Sequence, residues 1–298
     1  MLEFHHPTPE DGSWVRELLL ASQFNNSEYS FGSTYIWRRL LKKRIARYKD
    51  FYLAQSVIKG KTAYLFPAGR GDWREGIELY REDAKQHGAP LMLYSVTPAM
   101  QALLLEAYPQ EKIAFKPVRY AYDYVYNASD LIDLAGRKYH GKRNHIARFK
   151  QNHPDWHFEN ITSQNIAACE AMFYEWLTHT EDPAAYNDER DAILDAFAHF
   201  ETLNFMGGLI RSGGRVVAFT MGESLTNDCF VLHFEKAFAD LQGAYPIINR
   251  EFAARRLVGY QYINREEDMD LPGLRKSKES YSPAFLAEKS IAIWDETP

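Results

Sequence analysis

The sequence predicts an α+β protein made of two tandem domains, each a mixed, mostly antiparallel sheet flanked by helices. Three observations carry this. Short apolar or alternating runs are joined by tight turns, as in "FYLAQSVIKGKTAYLF" and "GGLIRSGGRVVAF", which is the pattern of antiparallel hairpins. Segments with helical spacing of apolar residues separate those hairpins. The same order of elements then restarts near Asp130, and 298 residues suit about two domains. The two parts share no obvious sequence identity, so a duplication is suggested only by the order of elements.

Taken in order, "PEDGSWVRELLLAS" predicts a capped helix and "YIWRRLLKKRIARYK" a second helical or mixed segment. Residues 51–57 and 62–66 form a hairpin. "DWREGIELYREDAKQHG" is a helix stopped by Gly88, "PLMLYSV" a buried strand, "PAMQALLLEAY" a helix with Pro98 in its first turn, and "YAYDYVYN" a strand. The boundary is set at residue 130, with residues 1–130 as a degenerate first domain and 131–298 as the catalytic one. In the second, "SDLIDLAGRKYHGKRNHIARFKQNHP" reads as helical and basic, "WHFENIT" as a strand, and "SQNIAACEAMFYEWLTHT" and "NDERDAILDAFAHFETL" as helices. A three-strand meander, the helix "AYPIINREFAARRLVG" and the strands "YQYIN" and "EKSIAIW" complete it.

Composition narrows the function. With 46% hydrophobic and 25% charged residues the chain has an ordinary globular profile. No apolar run approaches the ~20 residues of a membrane helix, and the N-terminus lacks a basic start and apolar core. Two cysteines, Cys169 and Cys229, make no disulfide framework, so a reduced, cytoplasmic chain is expected. A net charge of -5 argues against global nucleic-acid affinity but permits a local basic patch. His140 and His145 are off a common helix face, His5 and His6 lie near the terminus, and no Cys/His cluster has metal-ligand spacing; no metal is expected. The turn at residues 67–73, "PAGRGDW", lacks the spacing of a phosphate motif.

Three stretches carry chemistry. The meander, the strand "CFVLHFEKAF", a turn with Gly243 and the helix "YPIINREFAARRL" follow the order of a GNAT-type acyltransferase core; a plain meander packed on a helix has the same order. In that core two strands splay apart to hold the acyl group, and the next helix N-terminus favours an anionic carrier. The CoA version wants several glycines in that loop. Here "ADLQGAYP" offers Gln242 and Gly243, then a proline, which is too little for a full pyrophosphate cradle. The second stretch has six basic residues and no acid between Asp133 and Asp155, interleaved with Tyr139 and Phe149. Such a run grips phosphates, or else is a solvated helix face. In the third, Glu266, Glu267, Asp268 and Asp270 stand on one side of a turn and Arg275, Lys276 and Lys278 on the other. These charges cannot all be buried unpaired; they form a surface loop or a polar site at the mouth of the splayed strands.

The blocks "DLAGRKYHGKRNHIARF" and "NREEDMDLPGLRKSKESYSP" together resemble the two signature blocks of the family typified by the C-terminal domain of phosphatidylglycerol lysyltransferases. Lys142, Arg143 and Asn144 match the basic block. Glu267, Asp268, Gly273, Leu274, Arg275, Lys278 and Tyr281 match the other. The family looks like tandem GNAT-like folds related to the Fem-type transferases that use aminoacyl-tRNA. The resemblance implies transfer of an aminoacyl group from tRNA to an amine or hydroxyl, with no cofactor. Lipid-modifying members carry a long N-terminal membrane region that this sequence lacks, so a soluble acceptor is expected.

On that reading, Glu267 or Asp268 takes a proton from the acceptor. Lys278 and Arg275 stabilise the oxyanion, and Tyr281 protonates the leaving oxygen. Arg137, Lys138, Lys142, Arg143, Asn144 and Arg148, with Gly273, bind the tRNA acceptor end. Two alternatives stand beside it. One is a CoA-dependent N-acyltransferase using acetyl-CoA or another acyl-CoA, and the other an inactive GNAT-like RNA- or protein-binding module.

Overall fold

A computed structural model describes residues 2–180 and 182–295 and divides the chain into two units. The first comprises Met1–Asp123, Glu267–Leu271 and Leu286–Pro298; the second comprises Tyr124–Glu266 and Pro272–Phe285. The change at Asp123/Tyr124 falls just before the boundary read from the sequence, and two later segments return to the first unit.

The first unit opens with α1 (Gly12–Ser22), whose Val15, Leu18 and Leu19 bury one helical face. It continues through α2 (Phe31–Ile36), where the Ser30 hydroxyl caps the helix by accepting the Ser33 amide at 3.1 Å. Strands β1 (Arg44–Tyr48), β2 (Phe51–Ile58), β3 (Lys61–Leu65) and β4 (Ala68–Gly69) follow. The segment expected to be helical or mixed is mixed: its helix ends at Ile36, a turn follows, and Arg44–Tyr48 is strand. Ile45 is buried there and exchanges backbone hydrogen bonds with His5. The β2–β3 turn places Lys59 and Gly60 at φ 49° and 78°, the left-handed geometry a two-residue hairpin needs. Next come α3 (Trp73–Gln86), β5 (Met92–Val96), α4 (Pro98–Ala107) and β6 (Ile113–Pro117), the last not singled out in the sequence.

The chain then passes through β7 (Asp123–Asn127), α5 (Ala128–Asp133), α6 (His140–Asn152), β8 (His157–Asn160), α7 (Ile166–Thr178) and α8 (Asn187–Ala198). Left-handed Leu134 and Gly136 split the predicted basic helix into α5 and α6. The meander is β9 (Met206–Ser212), β10 (Arg215–Ser224) and β11 (Cys229–Ala237), followed by α9 (Ala244–Arg256) and β12 (Tyr262–Asn264). The acid-to-basic segment, read as a turn, contains a helix, α10 (Pro272–Glu279). Strands β13 (Phe285–Ala287) and β14 (Ser290–Trp294) end the fold.

One sheet runs β1-β2-β3-β5-β14-β6, with β4 on β2. The last strand thus completes the first sheet. The other runs β13-β7-β12-β11-β10-β9-β8, so that β7 completes the second. Within each sheet one helix joins two parallel neighbours: α3 joins β3 to β5, and α9 joins β11 to β12. Helix α9 buries Ile247, Ile248 and Phe252. Full burial of such side chains contributes about 1.5–3 kcal/mol each. The fold is α+β, with two mixed sheets flanked by helices.

Candidate active site in the second unit

Strands β11 and β12 pair only from Cys229–Val231 to Tyr262–Asn264. Beyond Val231, β11 keeps a strand partner on its β10 side alone. The β10 register also breaks here: Met221 faces Phe234 but Gly222 faces Leu232, leaving His233 as a bulge. Gly222 permits this approach, since a Cβ there would lie 1.9 Å from the Val231 carbonyl oxygen. The two strands therefore part at a bulge, and ionisable side chains fill the gap.

Two pairs cross it. His233 lies between Glu223 (Nε2 to Oε1, 3.1 Å) and Glu266 (Nδ1 to Oε1, 2.8 Å). Burial alone would lower the histidine pKa, but the two carboxylates outweigh it and raise it to about 9. Farther along, Arg265 Nη2 donates to Glu235 Oε1 at 2.9 Å, and Asn249 Nδ2 on α9 donates to Glu235 Oε2 at 2.9 Å. Since only the amide nitrogen can donate to a carboxylate, the Asn249 orientation is fixed. Arg265 Nη1 and Asn249 Oδ1 are both buried, and neither has a hydrogen-bond partner among the described residues. The Arg265 guanidinium also lies 4.9 Å from the Tyr281 ring and 5.7 Å from the Tyr126 ring.

Helix α10 supports this arrangement. Lys278, only 8% exposed, donates its ammonium to the main-chain carbonyls of Arg265 and Glu266 and so fixes the turn that aims both side chains. Tyr126 donates to the Lys278 carbonyl and Tyr139 to the Tyr281 carbonyl, both at 2.8 Å. Tyr281 is buried, and burial raises its phenol pKa well above the ordinary value. Arg275 is half-buried on α10, and Gly273 is exposed in its first turn.

The basic block divides. Tyr139 and Phe149 are buried, so they are core residues and offer no stacking face. Arg143 Nη1 donates to the carbonyls of Leu134 and Gly136. Lys138 pairs with Asp130 at 3.4 Å, Lys150 with Glu251 at 3.4 Å, and Asn144 bonds His140 at 3.1 Å. Arg137, Lys138 and Arg148 are exposed, whereas Lys142 turns inward onto Tyr281.

Glu267 and Asp268 group with the first unit. Asp268, expected to take a proton, is fully buried with both oxygens engaged. Oδ1 accepts the Asp270 amide at 2.9 Å and Oδ2 accepts from Arg119 at 3.3 Å.

Gln242 is exposed and Gly243, at φ 93°, precedes α9. A Cβ on Gly243 would lie 2.2 Å from the His145 carbonyl oxygen, so this glycine seats α6 against the start of α9. Beside it opens a cleft of about 510 Å³. Its walls are Trp176, His179 and Thr180 from the end of α7, Phe238 and Asp240 after β11, and Tyr245 in the first turn of α9. Burial raises the Tyr245 phenol to about 12, and Glu235 lies close enough to add to that rise. The cleft wall and the ionic gap are thus adjacent. Among the described residues no group of histidine, cysteine and carboxylate side chains could hold a metal ion, and no helix is long and apolar enough to cross a membrane.

The sequence reading did not select Glu223, His233, Glu235, Asn249 or Arg265. A signal for two of them was present: His233 and Glu235 stand two apart in the strand "CFVLHFEKA", whose other residues except Lys236 are apolar.

Comparison with known proteins shows the family and the fold. The model of the family "phosphatidylglycerol lysyltransferase, C-terminal" matches residues 21–293. A structure of a conserved protein of unknown function from Bacteroides thetaiotaomicron is 34% identical, with 99% of this chain and 100% of that one covered and a TM-score of 0.92. L-PGS from Bacillus licheniformis is 16% identical over 99% and 94% of the two chains, with a TM-score of 0.69. FemX is 10% identical over 97% and 96%, with a TM-score of 0.57. An uncharacterised protein of Mycoplasmoides gallisepticum is 24% identical over 176 residues, 57% of this chain and 55% of that protein's length. The chain belongs to the family of the phosphatidylglycerol lysyltransferase C-terminal domain, a family of acyl- and aminoacyl-transferases.

Proposed function

We propose that the second unit transfers an aminoacyl group from aminoacyl-tRNA to an amine or hydroxyl of a soluble acceptor. The observation that carries this is the unsatisfied pair flanking Glu235. Among the described residues, Arg265 Nη1 is a buried donor without an acceptor, and Asn249 Oδ1 a buried acceptor without a donor. Leaving such groups unpaired costs about 1–3 kcal/mol each, a cost that a ligand with the complementary groups removes. An aminoacyl ester carries both. Its carbonyl oxygen accepts from Arg265, and its α-ammonium donates to Asn249 beside the Glu235 carboxylate. An acetyl group has no ammonium.

Arg265 then does its largest work as the carbonyl becomes a tetrahedral oxyanion, because its guanidinium is already held by Glu235, Tyr126 and Tyr281. Lys278 acts by fixing the Arg265 main chain. The ester would lie along β11 past Val231, where pairing with β12 has ended. The aromatic cleft beside it, with Trp176, Phe238 and Tyr245, suits the terminal base of the carrier. Exposed Arg137, Lys138 and Arg148 are placed to meet RNA phosphates. The seating of Gly243 on the His145 carbonyl supports a carrier other than CoA.

The test is to incubate the protein with individually charged tRNAs and candidate acceptors: soluble amines, hydroxyl compounds and phosphatidylglycerol vesicles. One charged tRNA is expected to be consumed only when a soluble acceptor is present, and Arg265→Ala is expected to slow turnover about 10²–10³-fold. Consumption only with vesicles would replace the soluble acceptor by a lipid. Consumption of acetyl-CoA instead would establish the N-acyltransferase reading, and consumption of neither would leave an RNA- or protein-binding module.

A further inference from the structure

Lys142 sits in the block expected to hold RNA phosphates, but its surroundings suit a different task. Its Nζ lies 2.7 Å from Ser280 Oγ and 3.8 Å from the centre of the Tyr281 ring, the same ring that the Arg265 guanidinium faces at 4.9 Å. Ser280 Oγ donates its own proton to the Ser277 carbonyl at 2.6 Å. The hydroxyl can therefore only accept from Lys142, and a neutral Lys142 keeps its nitrogen lone pair free. The neighbouring basic residues differ. Lys138 and Lys150 each have a carboxylate and Arg143 has carbonyls, whereas Lys142 forms no ion pair among the described residues.

The charged and titratable groups around it are few. Arg265 and Glu235 are near enough to act on its charge, and the Tyr281 ring lies against its Nζ. Tyr126 and Tyr139 spend their phenol protons on main-chain carbonyls, as Lys278 spends its ammonium. Burial first, and then the positive charge of Arg265, lower the Lys142 pKa to about 8, with Glu235 opposing.

We infer that Lys142 carries the proton in the transfer reaction, taking it from the attacking acceptor and giving it to the leaving ribose oxygen. This rests on the proposed aminoacyl transfer. In the first half, the acceptor N–H or O–H proton moves to the neutral Lys142 amine while the acceptor lone pair forms the new bond to the ester carbon. The carbonyl electron pair becomes the oxyanion facing Arg265. In the second half, the oxyanion collapses, the carbon–oxygen bond to the ribose breaks, and the Lys142 ammonium protonates the departing oxygen. The amine is left neutral for the next cycle, and no other reactant is needed.

The test compares the unsubstituted protein with Lys142→Arg, which keeps a cation but removes a usable lone pair, and with Lys142→Met, which keeps an apolar stem on Tyr281. For the unsubstituted protein kcat is expected to rise with pH through about 8. Both variants are expected to lose about 10²–10³-fold in kcat and to lose that limb, while binding aminoacyl-tRNA as before. Full turnover by Lys142→Arg, or an unchanged pH limb, would overturn the role while leaving donor and carrier untouched. Independently of turnover, the Lys142 side-chain carbon resonance, assigned by its absence from Lys142→Arg, is expected to titrate near 8. A midpoint at the ordinary lysine value of about 10.4 overturns the proposal, and so does a kcat of the unsubstituted protein that stays level through about pH 8, a readout that needs neither variant to fold. Absence of transfer by the unsubstituted protein with every charged tRNA overturns the aminoacyl-transfer reading and this role with it.

Discussion

The two parallel crossovers, β3–α3–β5 in the first unit and β11–α9–β12 in the second, share a topology and differ in what lies where the strands part. In the first, pairing stops at Leu65 and Tyr94, and rings take up the space that follows. Phe66 packs on Phe24 at 6.2 Å and on Trp73 at 4.9 Å, and the Tyr29 hydroxyl donates to the Phe66 carbonyl at 3.4 Å. In the second, the same place holds Glu235, Arg265, Asn249 and His233, with one donor and one acceptor left unsatisfied. Each unit also contains a buried ionic cluster. In the first, Lys289 reaches Asp123 at 2.6 Å, Glu28 at 2.8 Å and the Ser27 hydroxyl at 3.3 Å, and the buried Lys43 ammonium, on whose pKa Glu28 and Lys289 act, has no hydrogen-bond partner among the described residues. One backbone plan thus carries rings where the first pair of strands parts and ionisable side chains where the second pair does.

The comparison can be broken most sharply through stability. Lys289→Met removes the ammonium from beside the buried Asp123 carboxylate and should cost about 3–5 kcal/mol, read as a lowered denaturation midpoint. Turnover per folded molecule should not change. If instead it abolishes transfer in folded protein, the first unit's cluster takes part in catalysis and the contrast drawn above is wrong.

A pH titration sharpens the second half of the comparison. The folded second unit raises the His233 pKa from 6.5 to about 9. The charged imidazole therefore stabilises the fold fully below pH 6.5, and the contribution fades as pH rises through 9. A shift of that size corresponds to roughly 3 kcal/mol. Melting temperature should fall over this window in the native sequence and stay nearly level in His233→Gln. A parallel fall in both would assign the effect to another group.

The smallest effect concerns the surface. Arg137→Gln and Arg148→Gln should each weaken tRNA binding evenly across sequences and reduce the salt slope by about one, as measured by binding at several ionic strengths. Affinity unchanged by both would move the RNA contact elsewhere.

How much of this could be read from the sequence follows from how far apart the interacting residues are. The β2–β3 hairpin, the three-strand meander and α9 were legible because period-2 runs, glycine turns and helical spacing are local signals. β1 was not, because "KKRIARY" has charges on both sides of its two buried residues and its partner, β2, lies outside any local window. That β14 belongs to the first sheet rests on pairings with residues near 93 and 115, about 180 positions earlier, and no nearby pattern announces them. The site was legible at its edges. The family blocks identified Lys142, Lys278 and Tyr281, which the structure gathers around Arg265. The carboxylate that organises the gap, Glu235, sits in a strand that reads as apolar core, and its partners come from α9 and the segment after β12. His233 and Glu235 can be seen in that strand, but the partners that make them a site, Glu266, Asn249 and Arg265, are brought to them only by tertiary structure.

The central claim is that the gap between β11 and β12 recognises a carbonyl and an ammonium together. Calorimetric titration with a stable amide analogue of 3′-aminoacyl-adenosine, beside its N-acetylated form and acetyl-CoA, measures this directly. The free-amine analogue should bind, lose at least about tenfold in affinity on N-acetylation, and fail to bind Arg265→Ala. Equal binding of the two analogues, or binding of acetyl-CoA alone, would contradict it.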